Sequence, residues 1–195
     1  MKARILLASV IGSALLLSSA LIAADAEKKY EAKCPVSGKP AKETSTVDYL
    51  GGKVQFCCDN CPKAFEADPK KFAAKAALQM LGTGQIKQVA CPMSGKPCNP
   101  DQSTEIDGVK VSFCCENCKG AVDKADDKVA KALGGDNMTK AVTAQTKCPV
   151  SGKPIDVSKT VDYQGKTVYF CCGNCPAAFE KEPTKYTSQL PQLKK

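Results

Sequence analysis

The stretch VYFCCGNCPAAFEKEP, residues 168–183, places three cysteines within five positions, two of them adjacent. It recurs as VQFCCDNCPKAFEADP at 54–69 and as VSFCCENCKGAVDKAD at 111–126. Upstream of each lies a second shared segment: CPVSGKP at 34–40, CPMSGKP at 91–97 and CPVSGKP at 148–154. Both segments step by 57 residues, so each copy carries Cys-x22-Cys-x3-Cys. A fixed period of this kind marks a duplicated unit and has to be read before the fold. A unit this short buries too little apolar surface to hold together on its core alone. It needs staples, and cysteine is the available supply.

The third copy shows the local structure best. Lys147 to Pro154 is a tight turn, with Gly152 supplying a positive φ. Thr160–Tyr163 and Thr167–Phe170 are β-rich and alternate, so with Gln164-Gly165-Lys166 between them they predict a hairpin. In the second copy the turn is Asp107-Gly108, a strong hairpin signal. A short helix follows, with Asn174 expected as its N-cap and Pro176 in its first turn. Pro183 then stops or restarts it. After the first copy, Pro69 to Leu81 predicts an Ala- and Lys-rich helix ended by Gly82-Thr83-Gly84, and the matching stretch of the second copy ends at Gly134-Gly135.

The expected fold class is α+β: three small treble-clef or zinc-ribbon-like domains, each a knuckle, a β-hairpin and a short helix, joined by helical linkers. The expected boundaries are a leader at 1–26 and repeats at 27–82, 83–139 and 140–195.

The candidate ligands are Cys34, Cys57 and Cys61; Cys91, Cys114 and Cys118; and Cys148, Cys171 and Cys175. Residues four apart on a helix share a face, which lets the second and third cysteines of each set converge. The hairpin returns the chain so that the knuckle cysteine meets them. Three thiolates suit a soft or borderline cation, Zn(II) or Cu(I), at about one ion per repeat. A helix N-terminus lowers thiol pKa values and favours the ligating form. The fourth ligand is open. Cys58, Cys115 and Cys172 are candidates, although adjacent residues chelate poorly in regular structure. Ser37, Ser94 and Ser151 occupy the knuckle position where a second cysteine would stand, and a neutral hydroxyl is a weak ligand.

This pattern resembles YHS/TRASH domains, small metal-binding modules of the treble-clef type. In the third copy the resemblance rests on Tyr163 and Gly165 before Phe170-Cys171, then Cys175, Phe179, Pro183 and Tyr186. The first copy matches through Tyr49, Gly51, Phe56, Cys57, Cys61, Phe65, Pro69 and Phe72. The resemblance implies handling of copper or another heavy metal. The second copy departs from it: Ile106, Lys119, Val122 and Asp126 replace the Tyr, Pro, Phe and second Pro, and Met93 and Cys98 are added. Looser packing is expected there. The phenylalanines, with Tyr49 and Tyr163, read as core, and the Lys-rich helices as solvated faces.

The bulk properties bound the rest. The chain has 195 residues, 13 cysteines, no histidine and a formal net charge of +8. The lysines are scattered among acids, which predicts no nucleic-acid partner. Residues 1–26 have the charged, apolar and small-residue regions of a secretory signal, so the chain is expected to be exported, periplasmic or extracellular. An uncleaved leader would tether it to a membrane.

An oxidising compartment also invites a second reading, a disulfide-scaffolded or thiol-redox protein. Such catalysts usually set Cys-x-x-Cys on a thioredoxin-like βαβ frame, and that frame is absent. With no histidine base, no nucleophile elbow and no phosphate loop, the expectation is a non-enzymatic metal-binding protein. It would buffer a soft metal, or use Zn as a structural staple.

Overall fold

The computed structural model describes residues 30–135 and 137–193, so the expected leader lies outside the described residues. Mixed short helices and small antiparallel hairpins make up the described chain, as an α+β reading requires. Three hairpins repeat one geometry: β1 (Lys42–Tyr49) with β2 (Gly52–Phe56), β4 (Asn99–Ile106) with β5 (Val109–Phe113), and β7 (Asp156–Tyr163) with β8 (Lys166–Phe170). Register follows the sequence period, with Val47 opposite Val54, Thr104 opposite Val111 and Val161 opposite Val168. The turns are two residues long, shorter than Gln164-Gly165-Lys166, because Lys166 already pairs with Tyr163. Both turn residues have positive φ in every copy: Leu50-Gly51, Asp107-Gly108 and Gln164-Gly165. This is the mark of a type I′ turn, whose twist matches that of the strands it joins.

The first strand of each hairpin also begins earlier than its β-rich core. A bulge between Asp156 and Thr160, and its counterparts, lets the strand run back toward the knuckle. In the knuckle, Gly38 N–H donates to the Cys34 carbonyl at 2.8 Å, and Gly38 needs its φ of +73° to do so.

A short helix comes after each hairpin: α1 (Asn60–Ala67), α3 (Glu116–Asp123) and α6 (Asn174–Lys181). Asn174 is the first helical residue and not the N-cap, and Gly173 ahead of it makes no side-chain capping bond. Alternation buries Val168 and Phe170 on one hairpin face, where Phe179 meets Phe170 and Tyr163 edge-on at centroid distances of 5.5 and 5.3 Å. The first copy repeats this with Phe65, Phe56 and Tyr49. In the second copy Ile106 and Val122 take the aromatic positions and are still buried, so smaller side chains close the core without a stacked pair.

The repeats diverge beyond their short helices. In the first, α2 (Pro69–Gly82) is started by the Asp68 carboxylate, which accepts from Lys71 N–H, and by Pro69 in its first turn. The second continues into α4 (Lys128–Leu133), capped by Asp127, and α5 (Asn137–Ala141). Among the described residues the third has only 3-10 turns. Its sequence replaces the Ala-rich run with Thr184, Tyr186, Thr187 and Pro191, all weaker helix formers.

The lysines of α2 face water as expected, but Ala76, Ala77, Leu78, Gln79 and Met80 are buried. Through them α2 packs on β2, β5 and α4. The first two copies therefore share one core, while the third has its own around Phe170, Phe179 and Leu190. Two short strands, β3 (Lys87–Gln88) and β6 (Val142–Thr143), pair between the connecting segments. No helix among the described residues is long and apolar enough to cross a membrane.

Candidate metal centres

The knuckle and the helix start meet at three places. Cys34 with Cys57 and Cys61, Cys91 with Cys114 and Cys118, and Cys148 with Cys171 and Cys175 each bring their sulfurs within 4.8 Å of one another. Cys57 does not lie on the helix as the four-residue spacing suggests. It precedes α1, and Cys61 sits in the first turn, so the pair converges through the bend at Cys58-Asp59. Their Sγ atoms are 3.6 Å apart, and the matching pairs of the other copies 3.7 Å.

Metal–thiolate bonds of about 2.3 Å set the edge of a tetrahedron at about 3.8 Å. A disulfide would need about 2.05 Å. The sulfurs therefore stand at ligand spacing, and all thirteen cysteines are free thiols. The donor set is sulfur only, which fits Zn(II) or Cu(I) and disfavours hard cations.

Ser37, Ser94 and Ser151 complete the picture at the knuckle. Their hydroxyls lie 3.1, 3.2 and 3.1 Å from the sulfurs of Cys57, Cys114 and Cys171. Burial works against ionisation of Cys34, yet hydrogen bonds from the Ser37 hydroxyl and from the N–H groups of Cys57, Ser37 and Val36 outweigh it and lower the thiol to about 7. Cys91 and Cys148 are lowered to about 7 by the same arrangement. Cys61 goes the other way. Burial, then its contacts with the thiols of Cys58, Cys57 and Cys34, push it up to about 12. Cys118 rises to about 12 and Cys175 rises as well, from the same causes. The helix start does not assist this cysteine. Its Asn60 and Cys61 N–H groups donate instead to the Cys58 sulfur, whose pKa they lower. Each triad thus holds one thiol ready to ionise and one that needs a cation beside it before it gives up its proton.

Cys58, Cys115 and Cys172 are exposed and stand outside the three mutually close sets. Cys58 nevertheless reaches Cys61 at 3.5 Å and Cys57 at 3.8 Å. Cys98 is a half-buried thiol raised to about 11, first by burial and then by the charges of Cys91 and Cys114; it donates to the Ser112 carbonyl at 3.4 Å. Met93 packs against the shared core.

One set of residues was missed in the sequence. Gln145, 1% exposed, donates to the carbonyls of Lys147 and Tyr169 and accepts from Tyr169 N–H. Its amide acts as a short third strand that ties the knuckle to the hairpin two residues before Cys171. Gln88 makes the same bonds to Ala90 and Ser112. Both stand three residues before a knuckle cysteine, so the period carried a signal. In the first copy that position is Glu31, which is exposed. There Gln79 from the buried face of α2 bonds Lys33 and Gln55 instead. A carboxylate has no N–H to offer two carbonyls, and the linker helix supplies the missing donor.

No curated protein and no solved structure matches the chain. Residues 146–190, which contain the third triad with its hairpin and helix, match the family model of the YHS domain.

Proposed function

We propose that the chain is an exported, non-enzymatic metal-binding protein built from three treble-clef-like YHS units, each holding about one soft ion, Zn(II) or Cu(I), on its cysteine triad. The observation that carries this reading is the convergence of the same three cysteines in every copy, at sulfur spacings that suit thiolate ligation. The YHS match over the third copy supports it. Cu(I) accepts three thiolates alone, whereas Zn(II) would add a water or a neighbouring oxygen as its fourth donor. The ion would supply a charge that deprotonates the resistant thiol and a cross-link between knuckle and helix.

Metal analysis and thiol titration on the same sample of full chain, purified from its native compartment, test the proposal. The expected result is about three ions per chain, with the triad thiols becoming reactive once a chelator removes the metal. A metal-free protein whose thiols respond to reductant and not to chelator would overturn it.

A further inference from the structure

In the first copy the sulfurs of Cys57, Cys58 and Cys61 lie 3.8, 3.6 and 3.5 Å from one another. These distances describe a second sulfur triangle. It shares the Cys57–Cys61 edge with the buried triad but points its third corner to solvent. The third copy repeats two of its sides, Cys172–Cys175 at 3.5 Å and Cys171–Cys175 at 3.7 Å. The second does so with Cys114–Cys115 at 3.7 Å and Cys114–Cys118 at 3.7 Å. The inner corner is nearly inaccessible: Cys34, Cys91 and Cys148 are 1%, 0% and 1% exposed. The outer corner is exposed in every copy.

A soft cation arrives with water or a carrier thiolate still bound, and with those ligands attached it cannot reach a corner closed to solvent. We propose that Cys58, Cys115 and Cys172 form, with the two adjacent triad cysteines, an exposed receiving face that takes the ion from a thiol or chelate carrier and passes it to the buried triad. The proposal rests on the reading of the triads as metal sites.

The transfer is a ligand exchange. On the outer face Cys57, Cys58 and Cys61 hold the ion as thiolates, releasing their protons to solvent or to the departing carrier, which leaves with the ligands it brought. The bond to Cys58 then breaks as the bond to Cys34 forms, while those to Cys57 and Cys61 persist. The proton lost from Cys34 goes to solvent, and Cys58 regains one from solvent. The oxidation state of the metal does not change, and no electron moves. Retaining two bonds throughout keeps the ion from being released between the faces. The doubled cysteine is thus a kinetic device and not a fourth permanent ligand.

The test tracks Cu(I) moving from its coloured bicinchoninate complex to the reduced, metal-free full chain, read for rate, final amount and competition affinity. With C58S/C115S/C172S, the expected result is a rate at least tenfold slower, with unchanged stoichiometry and affinity within about twofold. A second variant, C34S/C91S/C148S, is expected to take copper as fast as the natural chain but lose it readily to added chelator. An unchanged rate in the first variant overturns the receiving face and leaves the triads standing. A lower affinity at an unchanged rate also overturns it, and makes the outer cysteine a resident ligand. Failure of the natural chain to take copper or zinc overturns the triad reading itself.

Discussion

Replacing Gln145 by leucine keeps the volume near constant and removes every hydrogen bond the side chain makes. Gln145 is 1% exposed, so water does not readily replace what is lost. The Tyr169 N–H, the Tyr169 carbonyl and the Lys147 carbonyl all lose their partner, while the Gln192 amide that donates to Gln145 Oε1 keeps its bond to the Thr167 carbonyl. An unsatisfied buried polar group costs about 1–3 kcal/mol. Three such groups at a strand edge, partly relieved by local movement, give about 3–5 kcal/mol. A core of this size supplies no more than about that much. The metal-free third repeat of Gln145→Leu is therefore expected to unfold while the shared core of the first two persists.

Hydrogen exchange read by mass spectrometry on the reduced, metal-free chain checks this. Peptides covering β8 should exchange at least about a hundredfold faster, and those covering β2 and β5 at the natural rate. A companion variant, Gln145→Glu, keeps the shape but loses the N–H donors. Burial beside two carbonyls raises the folded-state pKa of that carboxyl above its unfolded value. Its penalty is accordingly small below about pH 4 and grows as pH rises through the folded pKa. Natural protection in β8 of Gln145→Leu would refute the clamp.

Cys148→Ser should lower the metal content that survives a chelator challenge by about one ion and leave the other two sites loaded, as measured by native mass spectrometry. The metal-free, reduced protein should be most stable near pH 9. The contribution of Cys34, Cys91 and Cys148, lowered to about 7, is lost as pH falls through that value, and that of Cys61 and Cys118, raised to about 12, is lost as pH climbs from about 9 toward 12. Anaerobic urea titrations across this range check the sign, and a maximum near pH 6 would contradict it. Asp68→Ala removes the cap that accepts from Lys71 N–H and should destabilise the shared core by about 1 kcal/mol in the same assay.

Features that depend on spacing were legible along the chain. The period of 57 residues located the three cysteine sets, and the Asp107-Gly108 turn announced its hairpin. A two-residue turn and a period-two strand determine which residues face one another, whatever surrounds them. The Ala-rich run after Pro69 announced a helix for the same reason: propensity and capping are local.

Other features needed the folded chain. Nothing in the spacing of Gln79 says that its amide replaces the one missing at Glu31, since the helix carrying it must first pack under the hairpin. The shared core of the first two copies has the same origin, a buried helix face that periodicity read as a linker. Cys57, Cys58 and Cys61 were equal as letters. Only the bend before α1 turned one outward and two toward the knuckle. The sequence by itself determined which atoms could serve as ligands and how far apart they stand along the chain. Tertiary structure decided which of them are buried, which lose their protons and which remain open to solvent, because burial and hydrogen bonding depend on neighbours that sequence distance does not order.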